Sequence, residues 1–244
     1  KQSKNVIIDK NSTDYGYYDV FAPGRDDDYM ITDDDFCKLA QMQKKYIHIE
    51  PMLKNEIERD IAQIIGTEKV LAVHARGADA QIHYANHPIP IGIDKYIEET
   101  EKSLKLIGAN KVFLATDDNN ILKAFIDKYK ENLIYYKDVE RSDGVRMSCY
   151  GDVQREKHHY RLGKEIIKDV YTLAACTGLV CSASYVSYMA KIVKMASGQT
   201  FQTVNSISSV KREKGMNLTD PLTIKKVETL WNQELKSAGK GEWK

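Results

Sequence analysis

Val70-Leu71-Ala72-Val73-His74-Ala75-Arg76-Gly77-Ala78-Asp79 runs apolar as far as Ala75, His74 excepted, and then turns abruptly to charge and glycine. A short apolar run that does not alternate with polar residues predicts a strand buried on both faces, as in a parallel sheet with helices on either side. The stretch after it supports this. A polar loop leads to an amphipathic helix from about Asp94 to Leu106, closed by Gly108, and then to a second apolar strand, Val112–Ala115. A helix over Asn119–Tyr129, with Leu122, Phe125, Ile126 and Tyr129 inward, leads to a third strand, Leu133–Tyr136. A long polar excursion from Lys137 to Lys157 precedes a helix from about His159 to Cys176. Gly178 ends that helix, and Leu179–Cys181 forms a fourth strand. A helix over Tyr185–Met195 and a fifth strand, Phe201–Val204, complete the pattern.

Upstream of Val70 the sequence reads differently. The first thirty residues are turn-rich (Asn11-Ser12-Thr13-Asp14, Pro23-Gly24, Asp26-Asp27-Asp28) around one short strand, Asn5 to Ile8. Two helices follow. One runs from about Thr32 to Tyr46. The other opens with Pro51 in its first turn, lines up Leu53, Ile57, Ile61, Ile64 and Ile65, and stops at Gly66. At the far end an amphipathic helix is expected over Leu222–Leu235. Strands alternating with helices make this an α/β protein, a Rossmann-like doubly wound parallel sheet whose common strand order is 3-2-1-4-5.

Composition narrows the function. The 244 residues are 42% hydrophobic with a net charge of +1, which argues against an electrostatic nucleic-acid binder. No apolar stretch approaches the ~20 residues of a membrane helix, and no signal peptide is evident, so a soluble, cytoplasmic protein is expected, with a place at the membrane periphery allowed. Cys37, Cys149, Cys176 and Cys181 lack ligand spacing and read as reduced thiols. Lys1 is not an initiator Met, so further chain is expected before it.

In an open parallel sheet, ligands bind beyond the carboxyl ends of the strands, where the order reverses. The residues to inspect are therefore His74, Arg76, Gly77 and Asp79 after the first strand, Thr116, Asp117 and Asp118 after the second, and Ser182, Ala183 and Ser184 after the fourth. An arginine facing a helix N-terminus describes an anion site: the helix offers unpaired N–H groups and the guanidinium a planar fork for phosphate. Gly77 would let a ligand approach. Against these readings stand a salt bridge of Arg76 with Asp79 or Asp117, and plain helix capping by Asp117-Asp118, Ser182 and Ser184. Neither GxGxxG nor GxxxxGK[ST] occurs, which removes the ordinary dinucleotide fingerprint and the P-loop. His83, His87, His158 and His159 lack metal-ligand spacing, the last two pointing to different sides of a helix, so no metal is expected.

Val73-His74-Ala75-Arg76-Gly77-Ala78-Asp79 resembles the HxRxxD motif of the fucosyltransferase superfamily, which includes the α1,6-fucosyltransferases, the rhizobial nodulation fucosyltransferases and the protein O-fucosyltransferases. Phe113-Leu114-Ala115-Thr116-Asp117-Asp118 resembles its second motif. Asp169 with Leu179-Val180-Cys181-Ser182-Ala183-Ser184 resembles its third, and His87-Pro88-Ile89 resembles the segment after the first motif in the α1,6 enzymes. The likeness spans roughly residues 66 to 205 and is closest to a bacterial branch. It implies the C-terminal, donor-binding domain of a two-domain GT-B glycosyltransferase over 66–210, the end of the acceptor-side domain over 1–65, and a C-terminal helix and tail over 211–244.

The resemblance also implies roles. Arg76 would contact the β-phosphate of GDP-fucose, His74 and Asp169 would lie at the nucleoside, and Ser184 or Tyr185 would touch the phosphates, with Asp117 and Ser182 at the same donor site. The implied reaction moves fucose with inversion, without a metal ion or cofactor, to a glycan or polysaccharide-precursor acceptor. Arg76 would serve the departing diphosphate and Asp79, the nearest acid, would serve as base, with His83 or His87 behind it. Gly77 stands where the α1,6 enzymes carry a second arginine, and the loop 80–86 has no carboxylate where they have a glutamate. The rivals are a non-catalytic nucleotide or sugar-phosphate binding module, and a phosphosugar isomerase or epimerase.

Overall fold

Helix and strand alternate throughout the computed structural model, which describes residues 33–77, 91–143, 155–182 and 184–207. The expected strand Asn5–Ile8 and helix Leu222–Leu235 lie outside these residues, as do Asp79, His83, His87 and Cys149.

Helix α1, Asp33–Tyr46, opens with Asp33, Asp34 and Asp35 and closes with Lys44 and Lys45, so its end charges oppose the helix dipole at both termini. Helix α2, Pro51–Ile64, starts where Pro51 needs no hydrogen-bond partner, and the Glu50 carboxylate accepts the Leu53 N–H at 3.0 Å. Strand β1, Val70–His74, is buried along its whole length. Helix α3, Ile93–Ile107, ends at Gly108, whose φ of 64° is a left-handed turn that glycine adopts without strain. Strand β2, Lys111–Ala115, leads through Asp118 into α4, Asn119–Tyr129. A 3-10 turn, Lys130–Asn132, gives way to the two-residue strand β3, Leu133–Ile134. Helix α5, His158–Ala175, strand β4, Gly178–Ser182, helix α6, Tyr185–Ala196, and strand β5, Val204–Ile207, follow.

All five strands are parallel, as the alternation predicted, and their order is the common β3-β2-β1-β4-β5. The pleat divides β1 between two cores. Leu71, Val73 and Ala75 pack with Tyr96, Leu104, Ile107, Ile121 and Phe125 under α3 and α4. Val70 and Ala72 pack with Ile65, Leu173, Cys176, Leu179 and Ala190 under α2, α5 and α6. A third cluster, Phe36, Ala40 and Ile192, docks α1 onto α6. Lys194, buried in α6, donates to the Ala174 and Cys176 carbonyls at 2.9 and 2.8 Å. It thereby satisfies the open end of α5 and locks α6 to it. No described helix is long and apolar enough to cross a membrane.

The edges of the sheet depart from expectation. The last strand is Val204–Ile207 rather than Phe201–Val204: Leu179 pairs with Val204, and Thr203 accepts the Leu179 N–H just before the strand begins. Phe201 still packs on the core, but from a loop. Strand β3 stops at Ile134, and Tyr136 instead buries its ring edge-on to Phe113, with its hydroxyl 2.7 Å from Thr172 Oγ1. In α4 the inward residues are Ile121, Phe125 and Tyr129, while Ile126 is 38% exposed.

Candidate functional site

A parallel sheet brings every strand's carboxyl end to one edge. His74 is level with Ala115 of β2 and with Cys181 of β4, so Arg76 and Gly77, Thr116 to Asp118, and Ser182 emerge side by side. Helix α6 begins there too, three residues after Ser182.

His74 packs against the first turn of α6, its Nδ1 2.7 Å from Ser187 Oγ. Burial, helped by the positive charge of Arg76, holds its pKa down at about 3, so the ring is neutral at any physiological pH. Arg76 leaves the same strand end two residues after His74. Tyr96 of α3 is fully buried beneath the same edge, its hydroxyl beside Ser182 and the Arg76 backbone, and burial raises its pKa.

Ser184 occupies the N-cap of α6 in extended conformation, yet its side chain makes no capping bond. The simplest account of this serine, that it serves its own helix, is therefore not realised. Tyr185 opens the helix, its ring edge-on to Tyr188 at 6.2 Å, and Tyr188 meets Phe36 of α1 at 6.0 Å. Ser182 and Ser184 are both buried.

The Gly77–Asp118 corner is an interlock. The Gly77 N–H donates to Asp117 Oδ1 at 3.0 Å, and the Asp117 carbonyl accepts the Ser142 N–H at 3.0 Å. Asp118 is buried and caps α4, accepting the Asn120 and Ile121 N–H groups at 2.7 and 3.4 Å. A Cβ on Gly77 would lie 2.5 Å from Asp118 Cβ and 2.7 Å from Ile121 Cδ1. The expectation that Gly77 opens space for a ligand is thus corrected. The missing side chain makes room for the cap of α4. The capping reading holds for Asp118, while Asp117 is partly exposed and fastens the loop that carries Arg76.

Asp169 belongs to a different neighbourhood. It lies midway along α5, crowded by Arg141, Glu165, Lys168 and Asp138. Arg141 spends its Nη1 and Nη2 on the Val139 and Tyr136 carbonyls at 2.9 and 3.0 Å, so it compensates Asp169 only through its field. Glu165 is tied to Arg155 at 2.7 Å. Burial pushes Asp169 up to about 7. The linkage sign follows: the folded state holds the proton more tightly than the unfolded chain, so this group's contribution is fully present below the ordinary value of 3.8 and is lost as pH rises through 7. We expect the melting temperature to fall between those limits, by at most ~1.4 kcal/mol of stability per pH unit, and Asp169→Asn to flatten that part of the profile. A melt series with identical slopes in both proteins would contradict this.

His158 is buried and His159 exposed, on different sides of α5 as expected. Among the described residues no three His, Cys, Asp or Glu side chains gather as a metal-ligand set. Cys37, Cys176 and Cys181 are free thiols. Sequence reasoning did not single out Ser187, Tyr96 or Arg141. Ser187 carried a weak signal, standing one turn into the helix that Ser184 opens; the other two carried none.

No protein-family model matches the chain, and no curated protein matches it. Among solved structures it is similar to the NodZ α1,6-fucosyltransferase soaked with GDP-fucose, at 14% identity and a TM-score of 0.43, over 63% of this chain and 45% of that one. It is also similar to POFUT1 in complex with GDP, at 13% identity and a TM-score of 0.46, over 72% of this chain and 50% of that one. POFUT1 in complex with GDP-fucose gives 14%, 0.44, 72% and 50%. The chain spans about half the length of these structures. At such identities and TM-scores no residue's role passes from one chain to another.

Proposed function

We propose that the chain is the nucleotide-sugar-binding half of a glycosyltransferase, moving fucose from GDP-fucose to a glycan or polysaccharide-precursor acceptor with inversion and without a metal ion. The observation that carries this reading is the emergence of Arg76 and the start of α6 at one edge of the sheet, where Ser184 stands at the N-cap without capping. A helix N-terminus with an arginine beside it is suited to a diphosphate. The order of the three motif-like segments along the chain supports the same reading, as does the emergence of the first two, with Ser182–Ser184 of the third, at one sheet edge.

In this reaction the acceptor oxygen attacks the anomeric carbon from the face opposite the diphosphate. Its proton passes to a base, and the bond from carbon to phosphate oxygen breaks, its electron pair leaving with GDP. Charge grows on the leaving diphosphate, where the Arg76 fork and the α6 N–H groups would meet it. Ser182, Ser184 and Tyr185 would border the phosphates. Asp117 would hold the Arg76 loop, and Asp169, near neutrality when empty, would turn to the carboxylate on accepting N–H donors from the base of the nucleotide. Asp79 is our proposed base. The corresponding division has residues 66–210 as the donor-binding domain of a GT-B enzyme, 1–65 as the end of the acceptor-side domain, and 211–244 as a C-terminal helix and tail.

Thermal-shift screening across GDP-, UDP- and CMP-sugars tests the donor class, with stabilisation by GDP and GDP-fucose above the others expected. Equal responses, or none, would count against the assignment. Donor turnover should survive EDTA. Its complete loss with EDTA, restored by Mn²⁺ or Mg²⁺, would sink the metal-free mechanism.

A further inference from the structure

His74 and Ser187 form a buried pair at the sheet edge, 8% and 2% exposed, with Nδ1 and Oγ 2.7 Å apart. We infer that Ser187 is a positioning residue whose hydroxyl holds His74 in one orientation and one tautomer, leaving Nε2–H as a neutral donor to an oxygen of the nucleoside diphosphate. The ligand half of this inference rests on the nucleotide-sugar reading above.

The tautomer follows from where one proton goes. Among the described residues, the Ser187 hydroxyl has the His74 ring and the Cys181 sulfur as its side-chain partners. A thiol sulfur is a weak acceptor and an imidazole nitrogen a strong one, so the hydroxyl proton is directed to Nδ1. The one proton of the neutral ring then sits on Nε2. Burial pushes the Cys181 thiol up to about 11, so no thiolate competes for the hydroxyl. With Nδ1 turned into α6, Nε2 is turned away from it and makes no hydrogen bond among the described residues.

Such a ring does something that a charged one would not. Because its pKa lies near 3, its donor is present without protonation across the working range, and it adds no second positive charge beside Arg76. Ser187, in the first turn of α6, ties that donor to the helix whose N–H groups would meet the same ligand. Ring and helix end are thereby held as one unit, and ordering them costs nothing when the nucleotide binds.

The test uses the full chain with ¹⁵N-labelled histidine, the His74 ring signals being assigned by their absence in His74→Gln. Without nucleotide, the wild type is expected to show one tautomer, protonated at Nε2, unchanged between about pH 5 and pH 8. Ser187→Ala should average the two ring nitrogen signals and weaken GDP binding roughly tenfold, and Ser187→Thr should restore both. A wild-type ring protonated at Nδ1, or already averaged, overturns the inference, as does Ser187→Ala with unaltered GDP affinity. Should Ser187→Ala fail to fold, the wild-type and Ser187→Thr spectra decide alone. If the wild type does not bind GDP, the functional reading falls and the ligand half with it, while the spectra taken without nucleotide still decide the tautomer.

Discussion

Arg76→Lys should lose about 10²–10³ in transfer rate, the usual cost of removing a preorganised donor to developing charge, while its melting temperature stays near that of the wild type. Lysine keeps the positive charge, so a role confined to long-range attraction would survive the change. What it lacks is the planar fork that meets two diphosphate oxygens at once. Position matters as much as charge. Arg76 sits two residues beyond β1, on a loop fastened by the Gly77 N–H to Asp117, and its charge is felt at His74 against the first turn of α6. GDP affinity, transfer and thermal stability should be measured on the same variant. Near-normal transfer with a depressed melting point would make Arg76 a structural residue and remove the centre of the proposed function.

Gly77→Ala should destabilise the protein by about 1–3 kcal/mol, in the range of overpacked cores, and should lower GDP affinity with it. The added carbon would lie 2.5 Å from Asp118 Cβ and 2.7 Å from Ile121 Cδ1. Neither neighbour gives way cheaply. Asp118 is held by the N–H groups it caps, and Ile121 is packed in the core beneath α4. Retreat of the Gly77 backbone would break its bond to Asp117 and shift Arg76. Gly163 supplies the contrast within the same chain. It lies in α5 with nothing within 4 Å of a built Cβ, so Gly163→Ala should stabilise by ~0.5–1 kcal/mol through the usual helix preference. Urea melts of the two variants should therefore move in opposite directions. A Gly77→Ala protein as stable as the wild type would contradict the interlock.

Much of the architecture was determined by the sequence alone, and the reason is local. Val70–Ala75 (His74 excepted), Val112–Ala115 and Leu179–Cys181 are apolar on both faces because helices cover both sides of the central strands. Helix limits were legible wherever a residue acts through its own backbone: Pro51 at a first turn, Gly108 in a left-handed turn. Alternation predicted parallel strands, and the order observed is the common one of doubly wound sheets. The same order brings Arg76, Asp117, Ser182 and Ser184 to the carboxyl edge of the sheet.

What the tertiary structure alone decided is whatever depends on a partner distant in sequence. Strand β5 takes its register from β4 rather than from its own apolar residues, because an edge strand is buried on one side only and its hydrogen bonds choose the frame. Ile121 faces the core and Ile126 does not, since the face of α4 that carries Ile121, Phe125 and Tyr129 is the one packed on the sheet. Gly77 is explained by Asp118 and Ile121, about forty residues away, and the neutral state of His74 by its burial against Ser187, 113 residues away. Asp169 owes its raised pKa to burial, which the charge of Arg141 opposes and that of Glu165 reinforces. A residue's type is written in the chain, but its charge state and its free volume belong to its neighbours, and only folding brings those neighbours together.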